Sequence, residues 1–349
     1  MLKKTLLLAL GLCAFALQTH ANDRIVTASE RGTYIEIGRD LARLVAKPVG
    51  LTLDVLPSKG SAENVRRLRV EPNVRLALVQ NDVYRAFTDQ ARAGDAEAAR
   101  LISPLRVVMP LYNEEIYFVT RADSPLKYIH EMRGKRINIG PVGSGTALTA
   151  TTVYRAMFGT ALSEQNTSTL SNEDALVKLA SEKSIDVVVV VAGQPAKLFA
   201  DMKQEARQYI KLLAVDPQAP EAKAASETYS DTTIRSASYP NWLTQDVPAL
   251  AVKSMLVTYD FPAGSEANDH LVRLAKSMCA NFDRLRTEGH AKWQEVSQTL
   301  PPLSTGWSYY APTHRILSNC AAQQNSSDNR PGRDQACTQG RELLGLCRR

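Results

Sequence analysis

Short apolar runs alternate with helical patterns in the first third of the chain. Residues 24–27, 52–56 and 75–79 have the length and apolar content of strands. Between them, residues 34–45 and 62–68 carry apolar side chains at helical spacing. Strands that alternate with helices are typical of β-α-β units, so this pattern predicts an α/β fold with parallel-rich sheets covered by helices.

A second series of the same kind follows. Its strands are predicted at residues 136–139, 185–191 and 210–215, with helices from residue 146 to 158 and from residue 195 onwards. Asn172 is predicted to cap the helix that continues to Ser181, because asparagine is a preferred N-cap residue.

Two longer strand-like segments, residues 115–120 and 249–258, separate these series. This order predicts a first lobe made of residues 22–114 and 250–320, with a second lobe inserted between them at residues 115–249. The two separating segments would form the hinge. Residues 321–349 are rich in polar side chains in their first part and are predicted to form a polar, flexible C-terminal tail.

The N-terminus has the features of a secretory signal peptide. Lys3 and Lys4 precede an apolar stretch that is too short to span a bilayer, and Thr19, His20 and Ala21 resemble a small-x-small cleavage site. We therefore predict a cleaved signal peptide at residues 1–21 and a periplasmic protein. Its removal leaves 328 of 349 residues, which suggests about two domains.

The net charge and the cysteine content disfavour two kinds of function for this chain, nucleic-acid binding and metal binding. Without Lys3 and Lys4 the net charge falls from +6 to +4, and no basic run with interleaved aromatic residues suggests nucleic-acid binding. Four cysteines remain after residue 21, and an even number in an exported chain favours disulfides. Of the three possible pairings we favour Cys279–Cys320 with Cys337–Cys347. The histidines show no metal-ligand spacing, so we expect neither metal nor cofactor.

The most informative motif is the glycine-rich stretch at residues 140–146, which follows a predicted strand and opens a predicted helix. Such a junction directs free backbone N–H groups and the positive end of a helix dipole at one point, which attracts a carboxylate or phosphate. Ser144 and Thr146 add hydroxyl donors, so Ser144, Gly145 and Thr146, with Gly143 in the same turn, are predicted to hold an acid group by N–H and hydroxyl donation. The alternative is an ordinary glycine turn with a capped helix.

Several segments together resemble the TAXI family, the TRAP-associated extracytoplasmic immunogenic receptors, over about residues 24–312. The segments that carry the resemblance are Gly32-Thr33-Tyr34, residues 60–64, residues 77–82, residues 121–124, Gly134-Lys135-Arg136, residues 140–146, residues 191–195, and residues 246–252. Each segment alone is weakly specific, whereas their order and spacing are specific.

The resemblance implies a two-lobed periplasmic binding protein fold of type II with two hinge strands. It also implies a monomeric receptor that captures a small carboxylate, such as glutamate or 2-oxoglutarate, and delivers it to a TRAP membrane permease. Ligands of open α/β sheets lie beyond the carboxyl ends of the strands, and closure of two lobes would bring both sets of loops together there.

Candidate ligand contacts lie in those loops, and each has a structural alternative. Gln80 could bind ligand or hold the adjacent turn; Ser61 and Asn64 could bind ligand or cap a helix; Tyr34, after Thr33, could form an aromatic wall or pack in the core. Gly193 and Gln194 follow the valine-rich strand, and Tyr239 could line the cleft.

The first loop departs from the family pattern. Glu30 and Arg31 stand where the family often has glycine, so the usual ligand could be altered. Arg31 could pair with a second carboxylate of the ligand, which would give a preference for diacids. The alternative is an arginine that is solvated or paired with a neighbour such as Glu30.

Two other classes of function, an enzyme and a ligand sensor, are alternatives to transport. The chain contains no G-x-S-x-G, P-loop, H-E-x-x-H or dinucleotide motif, and adjacent Glu114 and Glu115 should face opposite ways on a strand, so we do not expect an enzyme. A ligand sensor that signals to a membrane kinase would have a very similar sequence, so that alternative stays open.

Overall fold

The computed structural model describes residues 22–304 and 306–328, with side chains described up to residue 320. The predicted signal peptide and the predicted Cys337–Cys347 pair lie outside the described residues. Within the described part of the chain, no helix is both long and apolar enough to cross a membrane.

In the part of the chain that the structure describes, ten strands form one continuous sheet. They are β1 (Asp23–Val26), β2 (Leu53–Leu56), β3 (Val74–Gln80), β4 (Leu105–Arg121), β5 (Ile137–Asn138), β6 (Thr167–Ser168), β7 (Val187–Ala192), β8 (Ile210–Leu212), β9 (Ser230–Ile234) and β10 (Val247–Tyr259). The main order is β2-β1-β3-β10-β4-β7-β5-β6, with β8 on β4 and β9 on β10.

The direction of the strands changes across the sheet. The outer strands β2-β1-β3 and β7-β5-β6 pair in parallel, as the β-α-β pattern predicts. The central strands are antiparallel, because β10 pairs with β3 and β4, and β4 pairs with β7. The α/β class is confirmed, and the two long segments unite both halves into one sheet.

The helices cover both faces of this sheet. They are α1 (Thr33–Asp40), α2 (Ser61–Val70), α3 (Asn81–Arg92), α4 (Ala96–Ile102), α5 (Gly145–Phe158), α6 (Asn172–Val177), α7 (Lys197–Ala200), α8 (Pro220–Ser226), α9 (Glu266–Ala280), α10 (Phe282–Glu288) and α11 (Ala311–Asp328). Two predicted helices change geometry near their ends: π-helical turns at Leu41–Ala46 and Lys178–Glu182 follow α1 and α6.

Two details correct the sequence predictions. The N-cap of α6 is Ser171, whose Oγ accepts from the Asp174 N–H at 3.1 Å, whereas Asn172 is the first helical residue. The predicted tail is not irregular from its start, because α11 continues to Asp328. The favoured Cys279–Cys320 disulfide is confirmed; it joins α9 to α11 with the two Cα atoms 5.6 Å apart.

The described residues form four buried apolar clusters, two at each end of the sheet. Side chains on β1–β3 and one end of β4 form two clusters, one on each face. The other end of β4 alternates between the remaining two: Ile116 and Phe118 face one, Tyr117 and Val119 the other. We call the part built on β1–β3 the first lobe and the part built on β5–β7 the second lobe. Their boundaries at residues 114/115 and 249/250 remain a prediction.

Candidate functional site

A cavity of about 200 Å³ lies between the two lobes. The first lobe lines it with the loops after β1 and β2 and with the end of β3. The second lobe lines it with the first turn of α5, the start of α6 and the end of β7. All these loops follow the carboxyl ends of parallel strands, where ligands of open α/β sheets bind. The volume is below the roughly 300–1,000 Å³ of drug-sized sites and fits a small molecule.

Eight of the predicted site residues line this cavity. They are Arg31, Thr33, Tyr34, Ser61, Gln80, Ser144, Gly145 and Thr146. Five others, Gly143, Asn64, Gly193, Gln194 and Tyr239, do not line it. The sequence pattern therefore predicts loops that meet at this cavity, but not every side chain that it singles out lines the cavity.

The second-lobe wall is the N-terminus of α5. Ser144 is its N-cap, and its Oγ accepts the Ala147 N–H at 3.0 Å. The N–H groups of the first turn, which begins at Gly145, have no acceptor within the helix, because an α-helix satisfies only later N–H groups. The wall therefore offers backbone N–H donors, the positive end of a helix dipole and the Thr146 hydroxyl to an anion.

Gly145 allows the two lobes to approach closely at this wall. A Cβ at residue 145 would lie 1.7 Å from Gln80 Oε1 and 2.9 Å from Ser61 Oγ, both in the first lobe. Gly143 has φ +87°, a conformation that favours glycine, and its carbonyl accepts the Glu63 N–H at 2.9 Å. Both glycines thus shape the contact between the lobes.

Some polar groups of the first-lobe wall have hydrogen-bond partners within the protein, and others have none among the described residues. Ser61 Oγ accepts the Gln80 N–H at 3.1 Å, whereas Gln80 Oε1 is buried without a hydrogen-bond partner among the described residues. Thr33 donates to the Gly193 carbonyl at 2.6 Å, so this hydroxyl joins the lobes. The Tyr34 hydroxyl is buried and unpartnered in the same described region, and burial raises its pKa well above the ordinary value.

Asn64 and Gln194 use their amides inside the protein. Asn64 Nδ2 donates to the carbonyls of Thr27 at 2.6 Å and Leu78 at 2.8 Å. Gln194 Nε2 donates to Glu115 and to the Thr233 carbonyl, both at 2.9 Å. These bonds hold loops in place around the cavity. Asn64 does not cap α2 either, because it lies inside that helix, whose N-cap is Gly60.

Tyr239 lies in the core of the second lobe and not in the cleft. It is 1% exposed, its hydroxyl is 2.6 Å from that of Tyr117, and it accepts the Ala196 N–H at 2.9 Å. Its aromatic neighbours Phe199 and Trp242 complete an apolar environment. The expectation that it lines the cleft is therefore wrong, because its ring packs in this apolar core.

Arg31 is paired at the mouth of the cavity. Its Nη2 lies 3.1 Å from Asp201 Oδ2 in the second lobe, and both side chains are about half exposed at 45% and 47%. Glu30 pairs with Arg39 instead, at 2.7 Å. The suggested pairing of Arg31 with Glu30 is therefore wrong, because the partner of Arg31 is Asp201, which is remote in sequence.

Glu114 is the cavity residue that the sequence alone does not single out. It is 3% exposed, lines the cavity from β4, and its Oε2 has no hydrogen-bond partner among the described residues. The pKa of Glu114 is raised to about 8. Burial is the main cause; the nearby carboxylates of Glu115 and Asp82 add to the rise, whereas the Tyr34 hydroxyl and the Lys292 ammonium oppose it. The sequence signal that could have identified Glu114 is the acidic pair Glu114-Glu115 inside an otherwise apolar strand.

Glu115 has a separate set of partners, as expected for adjacent strand residues. It accepts from Lys292 Nζ at 2.7 Å and from the Gln194 backbone at 2.9 Å. Lys292 is fully buried and also pairs with Glu295 at 2.7 Å. Within the described residues, no group of three or more His, Cys, Asp or Glu side chains could hold a metal ion.

The described residues thus form an α/β protein with one sheet, two long crossing strands and a small cavity between its two lobes. The chain belongs to the NMT1-like family, whose sequence profile matches residues 25–303.

Similar solved structures are distant. The arginine-, lysine-, histidine-binding protein ArtJ from Geobacillus stearothermophilus is 11% identical, with a TM-score of 0.45 over 81% of this chain and 98% of that one. The periplasmic binding protein BugD is 13% identical, with a TM-score of 0.46 over 88% and 97%. The substrate-binding protein of an amino acid ABC transporter is 14% identical, with a TM-score of 0.41 over 78% and 96%.

Proposed function

We propose that this protein is an extracytoplasmic solute receptor that captures a small carboxylate in the interlobe cavity. The observation that carries the proposal is the α5 N-terminus facing Ser61 and Gln80 of the other lobe across a small cavity. A carboxylate at this point would accept from first-turn N–H groups and from Thr146, and the dipole of the helix would favour its charge.

The proposal extends to the two lobes as functional units. Residues 22–114 with 250–320 would form one body and residues 115–249 the other, and the crossing strands β4 and β10 would act as the hinge. A ligand that contacts both bodies stabilises their closed arrangement, since only that arrangement completes the site.

The location and the partner rest on sequence features. The predicted signal peptide supports export to the periplasm, and the TAXI-like segments support delivery of the ligand to a TRAP permease. An uptake assay in vesicles that contain the permease tests the second point: transport should require the receptor, and receptor-independent uptake would contradict it.

Binding is tested first by calorimetry and thermal shift with a panel of amino acids, 2-oxo acids and dicarboxylates. Ligand at about a hundred times its Kd stabilises a protein by roughly 2.7 kcal/mol, which raises the melting temperature measurably. Selective stabilisation by one class of acid supports the proposal, and no stabilisation by any acid contradicts it.

The position of the site is tested with Thr146→Val and Gln80→Ala. Each removes a polar group at the cavity, so affinity for the identified acid should fall about tenfold or more while the fold is retained. Thr151→Val is the matched control for Thr146, because its hydroxyl bonds to the Ala147 carbonyl within α5. Unchanged affinity in both site variants would contradict the assignment.

A further inference from the structure

The first-lobe wall and the start of the hinge hold buried polar atoms without a partner at hydrogen-bond geometry among the described residues, and the Tyr34 hydroxyl lies close enough to Glu114 to lower the pKa of that carboxyl. Gln80 Oε1, Glu114 Oε2 and the Tyr34 hydroxyl all line the cavity, and their residues are only 3%, 3% and 4% exposed. Buried polar atoms in folded proteins are almost always hydrogen-bonded, and an exception calls for an explanation. Two of the three, a carboxylate oxygen and an amide oxygen, are acceptors.

The sheet register brings these groups together. Gln80 ends β3 opposite Ser254 of β10, and Glu114 in β4 lies opposite Val252 of the same strand. Gln80 Oε1 also lies against Gly145, at the first turn of α5. The acceptor cluster and the anion-attracting helix end therefore belong to one small cavity and not to separate sites.

The charged residues that line the cavity differ in how exposed they are. Arg31, Lys59 and Glu173 line it but are exposed, and Arg31 is paired with Asp201. Glu114 is the one buried ionisable carboxylate among the lining residues. The buried end thus has acceptors and one acid, while the N-terminus of α5 supplies donors.

We propose that the ligand carries a primary ammonium group beside its carboxylate, as an α-amino acid does, and that Glu114 and Gln80 accept hydrogen bonds from this ammonium. The inference rests on the proposed function, since the α5 N-terminus holds the carboxylate. An ammonium has three donors and no acceptor, which matches a carboxylate and an amide oxygen. A 2-oxo or 2-hydroxy acid cannot satisfy both acceptors in this way.

Ligand binding then displaces a proton. The titratable and charged groups that face Glu114 are Tyr34 on α1, Asp82 on α3, Tyr112 and Glu115 on β4, and Lys292 on the 3₁₀ turn Ala291–Glu295. Together with burial, these groups place the pKa of Glu114 at about 8. The carboxyl is therefore protonated at pH 6–7 when no ligand is bound. The arriving ammonium favours the carboxylate, and the Glu114 proton leaves to solvent.

The experiment compares matched ligand pairs by calorimetry on the purified protein. L-glutamate is compared with 2-oxoglutarate, L-leucine with 4-methyl-2-oxopentanoate, and L-valine with 3-methyl-2-oxobutanoate. In at least one pair the amino acid should bind about 30-fold or more tightly than its oxo partner, as expected for a buried charge pair. Repeating the titration in buffers of different ionisation enthalpy should show about one proton released at pH 6.5 and almost none at pH 9.

Three results separate the two proposals. An oxo acid that binds as tightly as its amino acid, or more tightly, overturns this inference and leaves carboxylate capture standing; Glu114 then acts as a neutral hydrogen-bond donor. Tight binding of an amino acid without proton release at pH 6.5 also overturns the role of Glu114. If no member of any pair binds, both proposals fall.

Glu114→Gln is the decisive variant. It keeps the shape of the neutral side chain but cannot ionise, so it should lose the preference for the amino acid and the proton release while it retains weak binding of the oxo acid. Glu205→Gln, which removes a carboxylate at an exposed position, is the charge-matched control and should leave both unchanged. A retained preference in Glu114→Gln contradicts the inference; if that variant does not fold, the wild-type proton count decides.

Discussion

Gly145 shows how a single missing side chain brings the two lobes together. Its Cα lies against Gln80 Oε1, in a space where a methyl group would overlap that oxygen at 1.7 Å. The residue begins α5, where glycine is a poor helix former compared with alanine. Its presence there is explained by close approach rather than by helix formation.

We expect Gly145→Ala to weaken both binding and stability. The new Cβ must displace Gln80 or separate the lobes, so affinity for the identified acid should fall at least tenfold, and overpacking should cost about 1–3 kcal/mol of unfolding free energy. Urea unfolding and calorimetry measure the two effects. The double variant Gly145→Ala/Gln80→Ala removes the overlapping oxygen and should recover much of the stability, but not the binding. Equal stability of the single variant and wild type would contradict the overlap.

Glu114 should also give the protein a characteristic pH dependence. Its pKa in the folded protein is about 8, above the ordinary 4.5, so the folded state holds a proton that the unfolded state has lost between these values. The free energy of unfolding therefore falls as the pH rises from about 4.5 to 8, by on the order of 5 kcal/mol for this group. Burial is the main cause, and the carboxylates of Glu115 and Asp82 add to it.

Urea unfolding of wild type and Glu114→Gln between pH 5 and pH 8 measures this effect. The variant cannot ionise at this position, so its stability relative to wild type should rise across the range. Glu205→Gln should follow wild type at every pH. Parallel curves for wild type and Glu114→Gln would show that Glu114 has an ordinary pKa in the folded protein.

At the scale of elements, the strand β4 shows what the sequence can and cannot predict. Its apolar run within residues 115–120 predicts a strand, yet β4 begins ten residues earlier at Leu105. Pro110 argues against a strand in a sequence, but here it lies where the register between β4 and β10 shifts next to Met255. Periodicity thus finds the elements, whereas the pairing of remote strands decides their length.

In the candidate site, too, local sequence signals predict some residues, whereas the pairing of remote strands decides others. The glycine stretch and the ends of the β strands have local signals, so Ser144, Gly145, Thr146 and Gln80 could be predicted to lie together. Tyr239 and Gln194 have similar local signals but bond within the second lobe. Glu114 reaches the cavity through the register of β4 with β10, which a single sequence does not encode locally.

The disulfide between α9 and α11 should be a main tether of the C-terminal helix. Cys279 and Cys320 are 41 residues apart, and closing a loop of that length stabilises the folded state by about 4 kcal/mol on the chain-entropy model. Cys279→Ser/Cys320→Ser should lose about this amount in urea unfolding. Wild type in reducing buffer is the control and should shift in the same direction. An unchanged midpoint for the double variant would mean that helix packing alone holds α11.

At the scale of the whole molecule, hydrogen bonds across the cleft hold the lobes together. Thr33 donates to the Gly193 carbonyl at 2.6 Å, and Asp82 of α3 accepts from two second-lobe hydroxyls, Thr149 Oγ1 at 2.6 Å and Tyr229 at 3.0 Å. Burial raises the pKa of Asp82, and its two hydroxyl donors act against this rise. The closed arrangement therefore depends on donors that come from the opposite lobe.

Removing these donors should open the molecule. Thr149→Val/Tyr229→Phe leaves the buried Asp82 carboxylate without its interlobe partners, and each lost bond to a charged group costs about 1.5–3 kcal/mol. The radius of gyration from small-angle X-ray scattering should then increase without ligand and return to the wild-type value at saturation, while affinity falls at least tenfold because closure costs more. Thr151→Val/Tyr154→Phe is the matched control, since these hydroxyls bond within the second lobe to Ala147 and Gly134. If the test variant scatters and binds like wild type, Asp82 does not hold the lobes closed, and the hinge equilibrium must be set by the other interlobe contacts.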